Sequence, residues 1–334
     1  MEPFVSIVTP VYNGERFLQA CVESVLAQEY QNWEYIIVNN CSTDRTLTIA
    51  NAYAAQDRRV RIRCNTEFVN ADANHNIAFR EISEHSKYCK VIAADDWLEP
   101  QCIRRLVETA EAYPTAGLIG SYQRSGQSIR WMGLPAVETF AKGREIAQRS
   151  LRREINVLGM PTSVLYRADL VRKRESFFPH TRPHADTSAC FEIFKEADFA
   201  FVHEVLSHER LHDGQVSSVV DELGAGEPAY IEVLQEYGAA FLRPEELAVL
   251  TAQSMREYYL WLGGCVLKLR GRAFWSFHAR RMRELGLELD RPRILAAAIR
   301  RFIVELQHPA AAMTKIKLAL DRLRQRERTL TRGF

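Results

Sequence analysis

Phe4-Val5-Ser6-Ile7-Val8-Thr9-Pro10-Val11-Tyr12-Asn13-Gly14 combines a strand, its stop and a turn. The run from Phe4 to Thr9 is short and mostly apolar. Pro10 ends it, and Asn13-Gly14 turns the chain into a helix. In that helix Phe17, Leu18, Cys21, Val22, Val25 and Leu26 recur at helical spacing, so one face is buried. Glu34 to Val38 is a second strand, and Ser42, Thr43 and Asp44 are capping residues for the next helix. Val60-Arg61-Ile62-Arg63 alternates as an edge strand does, and a polar helix follows from about Ala71 to Glu84. Val91-Ile92-Ala93-Ala94 reads as another apolar strand, running straight into Asp95-Asp96, with Pro100 near the following helix start.

Strand and helix in alternation predict an α/β fold with a doubly wound, mostly parallel sheet and flanking helices. Ligands of such sheets bind beyond the carboxyl ends of the strands, near the switch in strand order. Three polar clusters stand at those ends: Thr9 to Asn13, Asn39-Asn40 and Asp95-Asp96. They are expected to meet around one crevice. Leu118 to Tyr122, Ser163 to Tyr166 and Phe199 to Val202 read as further strands, and Ala185 to Glu196 as a helix. Beyond about Ser217 the pattern is all helical, with segments at Glu227–Phe241, Pro244–Lys268, Trp275–Leu287, Arg293–Leu306 and Ala310–Arg328. The expected organisation is a catalytic domain over 1–218 and a basic helical region over 219–334.

The 334 residues are 47% hydrophobic and 26% charged, which is ordinary for a soluble globular protein with a large core. The seven cysteines are scattered, with no CxxC pair and no Cys/His metal spacing, as in a protein of reduced thiols. Residues 1–10 lack the basic start of a signal peptide, and no apolar stretch approaches the ~18–20 residues that span a bilayer. The expected location is the cytoplasm. From Lys268 to Arg332 there are 17 Lys and Arg against 6 Asp and Glu, in a chain whose net charge is only +2. Arg280-Arg281, Arg300-Arg301, Arg322, Arg324, Arg326 and Arg328 lie beside Phe302, Ile303, Leu318 and Leu320. Basic amphipathic helices of this kind suit the anionic inner surface of a membrane, and equally a helical lid or a homo-oligomer contact. They contain no nucleic-acid-binding module, so nucleic acid is not an expected partner.

Adjacent carboxylates at a buried strand end repel and desolvate each other. A divalent cation relieves both penalties, and hard oxygen ligands suit Mg2+ or Mn2+. The bland alternative is that one of the pair only caps the helix near Pro100.

The chain resembles a family 2 glycosyltransferase of the GT-A fold over roughly residues 4–215. Thr9-Pro10-Val11-Tyr12-Asn13-Gly14, Ser24-Val25-Leu26-Ala27-Gln28 and Ile37-Val38-Asn39-Asn40-Cys41-Ser42-Thr43-Asp44 carry the first part. Ala94-Asp95-Asp96-Trp97-Leu98-Glu99-Pro100 and Ala185-Asp186-Thr187 carry the rest. The resemblance implies inverting transfer from a nucleoside-diphosphate sugar, by default a UDP-sugar, to a saccharide or lipid-linked acceptor. Cell-surface polysaccharide assembly is a plausible setting by analogy. By the same resemblance Thr9, Pro10 and Tyr12 line the nucleotide pocket, Asn40 contacts the base, and Asn76 faces the donor from a polar helix start that includes Asn70, Asn74 and His75. Asp95 contacts the ribose or the metal, Asp96 holds the metal on the diphosphate, and Asp186 is the general base. Arg210 and His212 belong to a loop that closes over the diphosphate.

Two departures stand out. The usual acidic pair after the second strand is Asn39-Asn40 here, and Ala93 replaces an aspartate common two positions before the acid pair. Those changes keep open a catalytically inactive sugar- or nucleotide-binding module. A sugar-phosphate nucleotidyltransferase is a third reading, but Thr9 to Leu18 lacks the Gly- and Arg-rich phosphate loop it requires. His184 competes with Asp186 on chemistry alone.

Overall fold

The computed structural model describes residues 2–158, 161–179, 184–212 and 222–306. The chain divides into two compact units, Met1–Gln215 and Val216–Phe334.

The first unit is built on one mixed sheet. Its parallel half comprises β1 (Val5–Val11), β2 (Trp33–Asn39), β3 (Val60–Cys64) and β4 (Tyr88–Val91), in spatial order β3-β2-β1-β4. Nearly every residue of β1 and β2 is buried, as expected of central parallel strands covered on both faces. α1 (Leu18–Leu26) buries Leu18, Cys21, Val22 and Val25, the stripe its spacing predicts. α2 (Thr46–Ala54) and α3 (Ala71–Arg80) make the next two crossovers. β4 ends at Val91, earlier than the sequence suggests, so Asp95 and Asp96 sit in a turn rather than on a strand. Lys90 lies inside this strand, and its charge hides the strand's true start from a reading by hydrophobicity.

β5 is the two-residue strand Trp97–Leu98, and α4 (Cys102–Ala112) follows it. β6 (Ala116–Ser125), β7 (Ser128–Arg130) and β8 (Phe140–Ala141) lead to α5 (Gly143–Leu151). β9 (Val164–Arg167), α6 (Ala168–Arg172), α7 (Ala185–Phe194) and β10 (Asp198–Glu209) complete the unit. β9 enters antiparallel between β4 and β6. The four parallel ladders are long and the five antiparallel ones hold two or three pairs each, so the sheet is parallel in the main. β10 runs on to Glu209, well past the Phe199–Val202 segment legible in the sequence. Its end pairs with β5, matching Ser207 to Leu98 and His208 to Trp97. That pairing carries the residues after β10 to the turn after β4.

The second unit is helical: α8 (Gly226–Phe241), α9 (Pro244–Leu267), α10 (Arg272–Glu284) and α11 (Arg291–Leu306). Ile231, Tyr258, Tyr259, Leu262, Cys265, Phe274, Met282 and Ile294 form its core. A Cβ on Gly263 would lie 2.7 Å from backbone and side-chain atoms of Ala297, so glycine there permits the close approach of α9 and α11. His278 is fully buried, with Nδ1 2.8 Å from the Tyr258 hydroxyl and Nε2 2.9 Å from the Leu223 carbonyl. A carbonyl only accepts, so Nε2 carries the proton. The helix expected over Ala310–Arg328 lies outside the described residues. No helix among the described residues is long and apolar enough to cross a membrane.

Candidate active site

The crevice forms at the carboxyl ends of β1, β2, β3 and β4, where the strand order reverses. Its floor is stitched from loops far apart in sequence. Asn13, in the left-handed region at φ +50°, receives a hydrogen bond from the Thr43 amide at 2.8 Å, and its own amide donates to Ser42 Oγ at 3.0 Å. Gly14 N donates to Thr46 Oγ1 at 2.8 Å and Glu15 N to Asp44 Oδ2 at 3.0 Å. Tyr12 is half exposed beside this turn, its ring 4.8 Å from Phe68. Pro10 is half-buried at the end of β1.

Asp95, Asp96, Arg210 and His212 come together as one group. The Arg210 amide donates to Asp96 Oδ1 at 3.2 Å and the Arg210 Nε to the Asp95 carbonyl at 3.1 Å. His212 Nε2 lies 3.0 Å from Asp95 Oδ2. The Arg210 guanidinium rests 4.8 Å from the Trp97 ring and 5.1 Å from the Phe17 ring, and His212 packs 4.6 Å from Phe17. Asp96 is buried, and its Oδ2 has no hydrogen-bond partner among the described residues. Burial first, and then the charge of Asp95, push its carboxyl up to about 7. A buried carboxylate oxygen left bare is costly unless something cationic meets it. Among the described residues no group of three or more His, Cys, Asp and Glu converges as a metal cage. Two adjacent carboxylates with one bare oxygen nevertheless fit Mg2+ or Mn2+, which bind through one or two carboxylates and complete their shell with substrate phosphates and water.

Beneath this group lie two residues that the sequence reading passes over. The Thr162 hydroxyl accepts from the Ala93 amide at 3.1 Å and lies close enough to Asp96 to offset part of the rise in its pKa. Lys90, fully buried, donates from Nζ to the Thr162 carbonyl and, at 3.0 Å, to the Val164 carbonyl. Burial pulls its ammonium down to about 8. Lys90 thus anchors the segment whose side chain supports Asp96. A lysine within an apolar run reads as solvated, and only the pairing of β4 with β9 places it inside.

Several residues expected at the donor site have their polar atoms spent on the fold. Thr9 is fully buried, its hydroxyl 2.8 Å from Tyr35 Oη and 3.0 Å from the Ile92 carbonyl. The Asn40 side chain donates to the Val69 carbonyl at 2.7 Å and accepts from the Val69 amide at 3.0 Å. Asn65 also donates to Asn40 Oδ1 at 3.0 Å. The Asn76 side chain treats Phe178 in the same way, at 3.0 Å to its carbonyl and 2.8 Å from its amide. Asn70 caps α3 by accepting from the Ala73 amide at 2.9 Å.

Asp186 stands in a second group, half-buried in the first turn of α7. His184 precedes it in the left-handed region at φ +73° and is exposed. The Asp186 charge is felt by His75, Tyr166 and Cys190. His75 has Nδ1 2.8 Å from the Ala71 carbonyl, so that nitrogen carries the proton and Nε2 keeps its lone pair. Its ring packs 5.2 Å from Phe178, and desolvation holds its pKa below the usual histidine range. The residues that follow His212, 213–221, lie outside the described residues.

Comparison with known proteins speaks to the family and the fold. GlyG, a glycosyltransferase of Streptococcus pneumoniae serotype 4, is 30% identical over 128 residues, which are 38% of this chain and 42% of that one. The chain spans 13% to 42% of the length of the first curated relatives it matches. Among solved structures, TarS 1-349 of S. aureus in complex with UDP-GlcNAc superposes with a TM-score of 0.57 at 14% identity, over 77% of this chain and 72% of that chain. The mannosyltransferase PcManGT of Pyrobaculum calidifontis, in complex with GDP-Man and Mn2+, gives 0.53 at 13% identity over 90% and 88%. At such identities these structures establish a shared fold. The family described as "Glycosyl transferase family 2" matches residues 6–174, just over half of the sequence. With the acid pair and most of the parallel half of the sheet inside that stretch, the chain belongs to glycosyl transferase family 2.

Proposed function

We propose that the protein transfers a sugar, with inversion, from a nucleoside-diphosphate sugar to a hydroxyl of a saccharide or lipid-linked saccharide. The observation that carries this reading is the bare, buried Oδ2 of Asp96 beside Asp95, Arg210 and His212. Asp96 and Asp95 would hold Mg2+ or Mn2+, which when bound supplies positive charge against the diphosphate. Arg210 and His212, directly after β10, would neutralise the departing nucleoside diphosphate. Tyr12 and Pro10 would border the nucleotide. Asn40 and Asn76 would act one step back, by fixing the loops at Val69 and Phe178 that frame the donor. Asp186 would take the proton of the acceptor hydroxyl, because that weak nucleophile gains strength only as its proton leaves. Units 1–218 and 219–334 would divide the work into catalysis and attachment.

The donor is taken to be a UDP-sugar. This agrees with the bound UDP-GlcNAc of TarS, whereas the bound GDP-Man of PcManGT supports the GDP alternative. A thermal-shift panel of UDP, GDP, dTDP and CDP, each with and without Mn2+, tests the choice. A ligand of the folded state raises the melting temperature by mass action. One nucleotide is expected to stabilise strongly and only with metal. Asp186→Asn should keep that shift and lower sugar-nucleotide turnover by ~10²–10⁴. Retained turnover removes Asp186 as the base. Binding without any turnover in the unmodified protein points to a catalytically inactive binding module.

A further inference from the structure

α11 (Arg291–Leu306) presents two unlike faces. Ile294, Ala297 and Ala298 are buried against the rest of the helical unit. On the other side Leu295, Ile299, Phe302 and Ile303 are 59%, 52%, 50% and 53% exposed. At 3.6 residues per turn these four side chains fall within an arc of about 100°. Arg291 borders the arc on one side and Arg300 on the other, both exposed. No acidic side chain occurs between Arg291 and Val304. Single exposed apolar residues are unremarkable on a protein surface, but four in a continuous stripe mark a contact surface.

We infer that this stripe docks on an anionic phospholipid surface, with Leu295, Ile299, Phe302 and Ile303 entering the interface and Arg291 and Arg300 meeting the headgroups. The charge pattern selects this occupant. An apolar stripe rimmed by arginine suits the boundary of an anionic bilayer. A second copy of the chain would set the same arginines against each other. A cavity of about 480 Å3 in the same unit supports the assignment. Leu295 belongs both to the stripe and to its lining, with Trp275 and Ile294 giving apolar walls and Arg283, Arg291 and Glu288 giving charge. Residues 307–334 add seven Lys and Arg against two Asp and Glu, charge of the same sign along the chain. The inference rests on the preceding reading only in so far as a lipid-linked acceptor gives the enzyme a reason to be at a membrane.

The test is flotation of the full chain with vesicles, without donor or metal, so that a failed donor reading leaves its result intact. Vesicles of phosphatidylcholine alone are compared with vesicles that also contain phosphatidylglycerol. The protein is expected to float with the anionic vesicles and at least tenfold less with the neutral ones. Ile299→Glu with Phe302→Glu changes only exposed positions. This double variant should lose at least tenfold in anionic-vesicle binding while eluting and melting like the parent. Ile299→Ser with Phe302→Ser checks that the loss follows apolarity rather than added charge. Failure of the parent to bind anionic vesicles overturns the inference. So does equal binding by the double variant, which assigns the attraction to residues 307–334 alone. A parent dimer that becomes monomeric in the double variant, with no vesicle binding by either, overturns it in favour of a second copy.

Discussion

In the first unit Lys90 and Asp96 place ionisable groups where water scarcely reaches, whereas in the second Leu295, Ile299, Phe302 and Ile303 place apolar side chains half or more in water. Both arrangements oppose what folding alone favours. Burying an ionisable group costs its hydration, and exposing an apolar one forgoes about 25 cal/mol per Å2. In the first unit the penalty is contained by a few aimed hydrogen bonds, from Lys90 to two carbonyls and from the Arg210 amide to Asp96. In the second it is left open across a whole helix face. A small, directional imbalance suits a small charged ligand, and a broad, undirected one suits a surface.

Asp96→Asn is the sharpest way to break this contrast. The amide keeps the shape and removes the charge. Metal-dependent nucleotide affinity should fall by more than the ~10–100-fold typical of an outer-shell change. The apo protein should melt higher, because a neutral group costs less to bury. Thermal shift with and without Mn2+ reads both effects. An unchanged metal response would show that Asp96 is merely a buried acid.

A smaller effect is expected of Lys90→Met, which fills similar volume but leaves the Thr162 and Val164 carbonyls without their donor. Stability should drop by about 1–3 kcal/mol in urea unfolding. Metal-dependent nucleotide affinity should weaken ~10-fold through the displaced Thr162. Lost stability with unchanged affinity would make Lys90 a structural lysine only.

The smallest effect tests the second unit for its own buried titratable group. Burial pushes the pKa of His278 down from about 6.5 to about 4, so the folded state keeps it neutral where the unfolded chain takes up a proton. Stability from this group is complete above about pH 6.5 and is lost as pH falls toward 4. Urea midpoints at pH 7 and pH 5 should separate in the parent, and the separation should shrink in His278→Gln. An undiminished difference would move the pH response to another group.

The alternation from Phe4 to Asp96 was enough to read the parallel half of the sheet and its crevice, because period and turn chemistry are local. The acid pair and the Arg210-His212 segment were legible as types of residue. Their meeting was not, since it depends on β5 pairing with the far end of β10. Lys90 and Thr162 were missed for the same reason: their importance lies in partners about 70 residues away. Thr9, Asn40 and Asn76 show the converse. A motif names polar side chains without telling which of their atoms the fold has already engaged.

Asn40 and Asn76 each read the amide and carbonyl of one distant residue, as a neighbouring strand would. Each therefore ties its loop down at one residue, Val69 or Phe178. Residues inserted before or after Val69 or Phe178 would lengthen a loop without moving its anchored point. The rim of the crevice is free to vary in length and chemistry while its frame stays in register, which is what a scaffold needs if it is to be refitted for new acceptors.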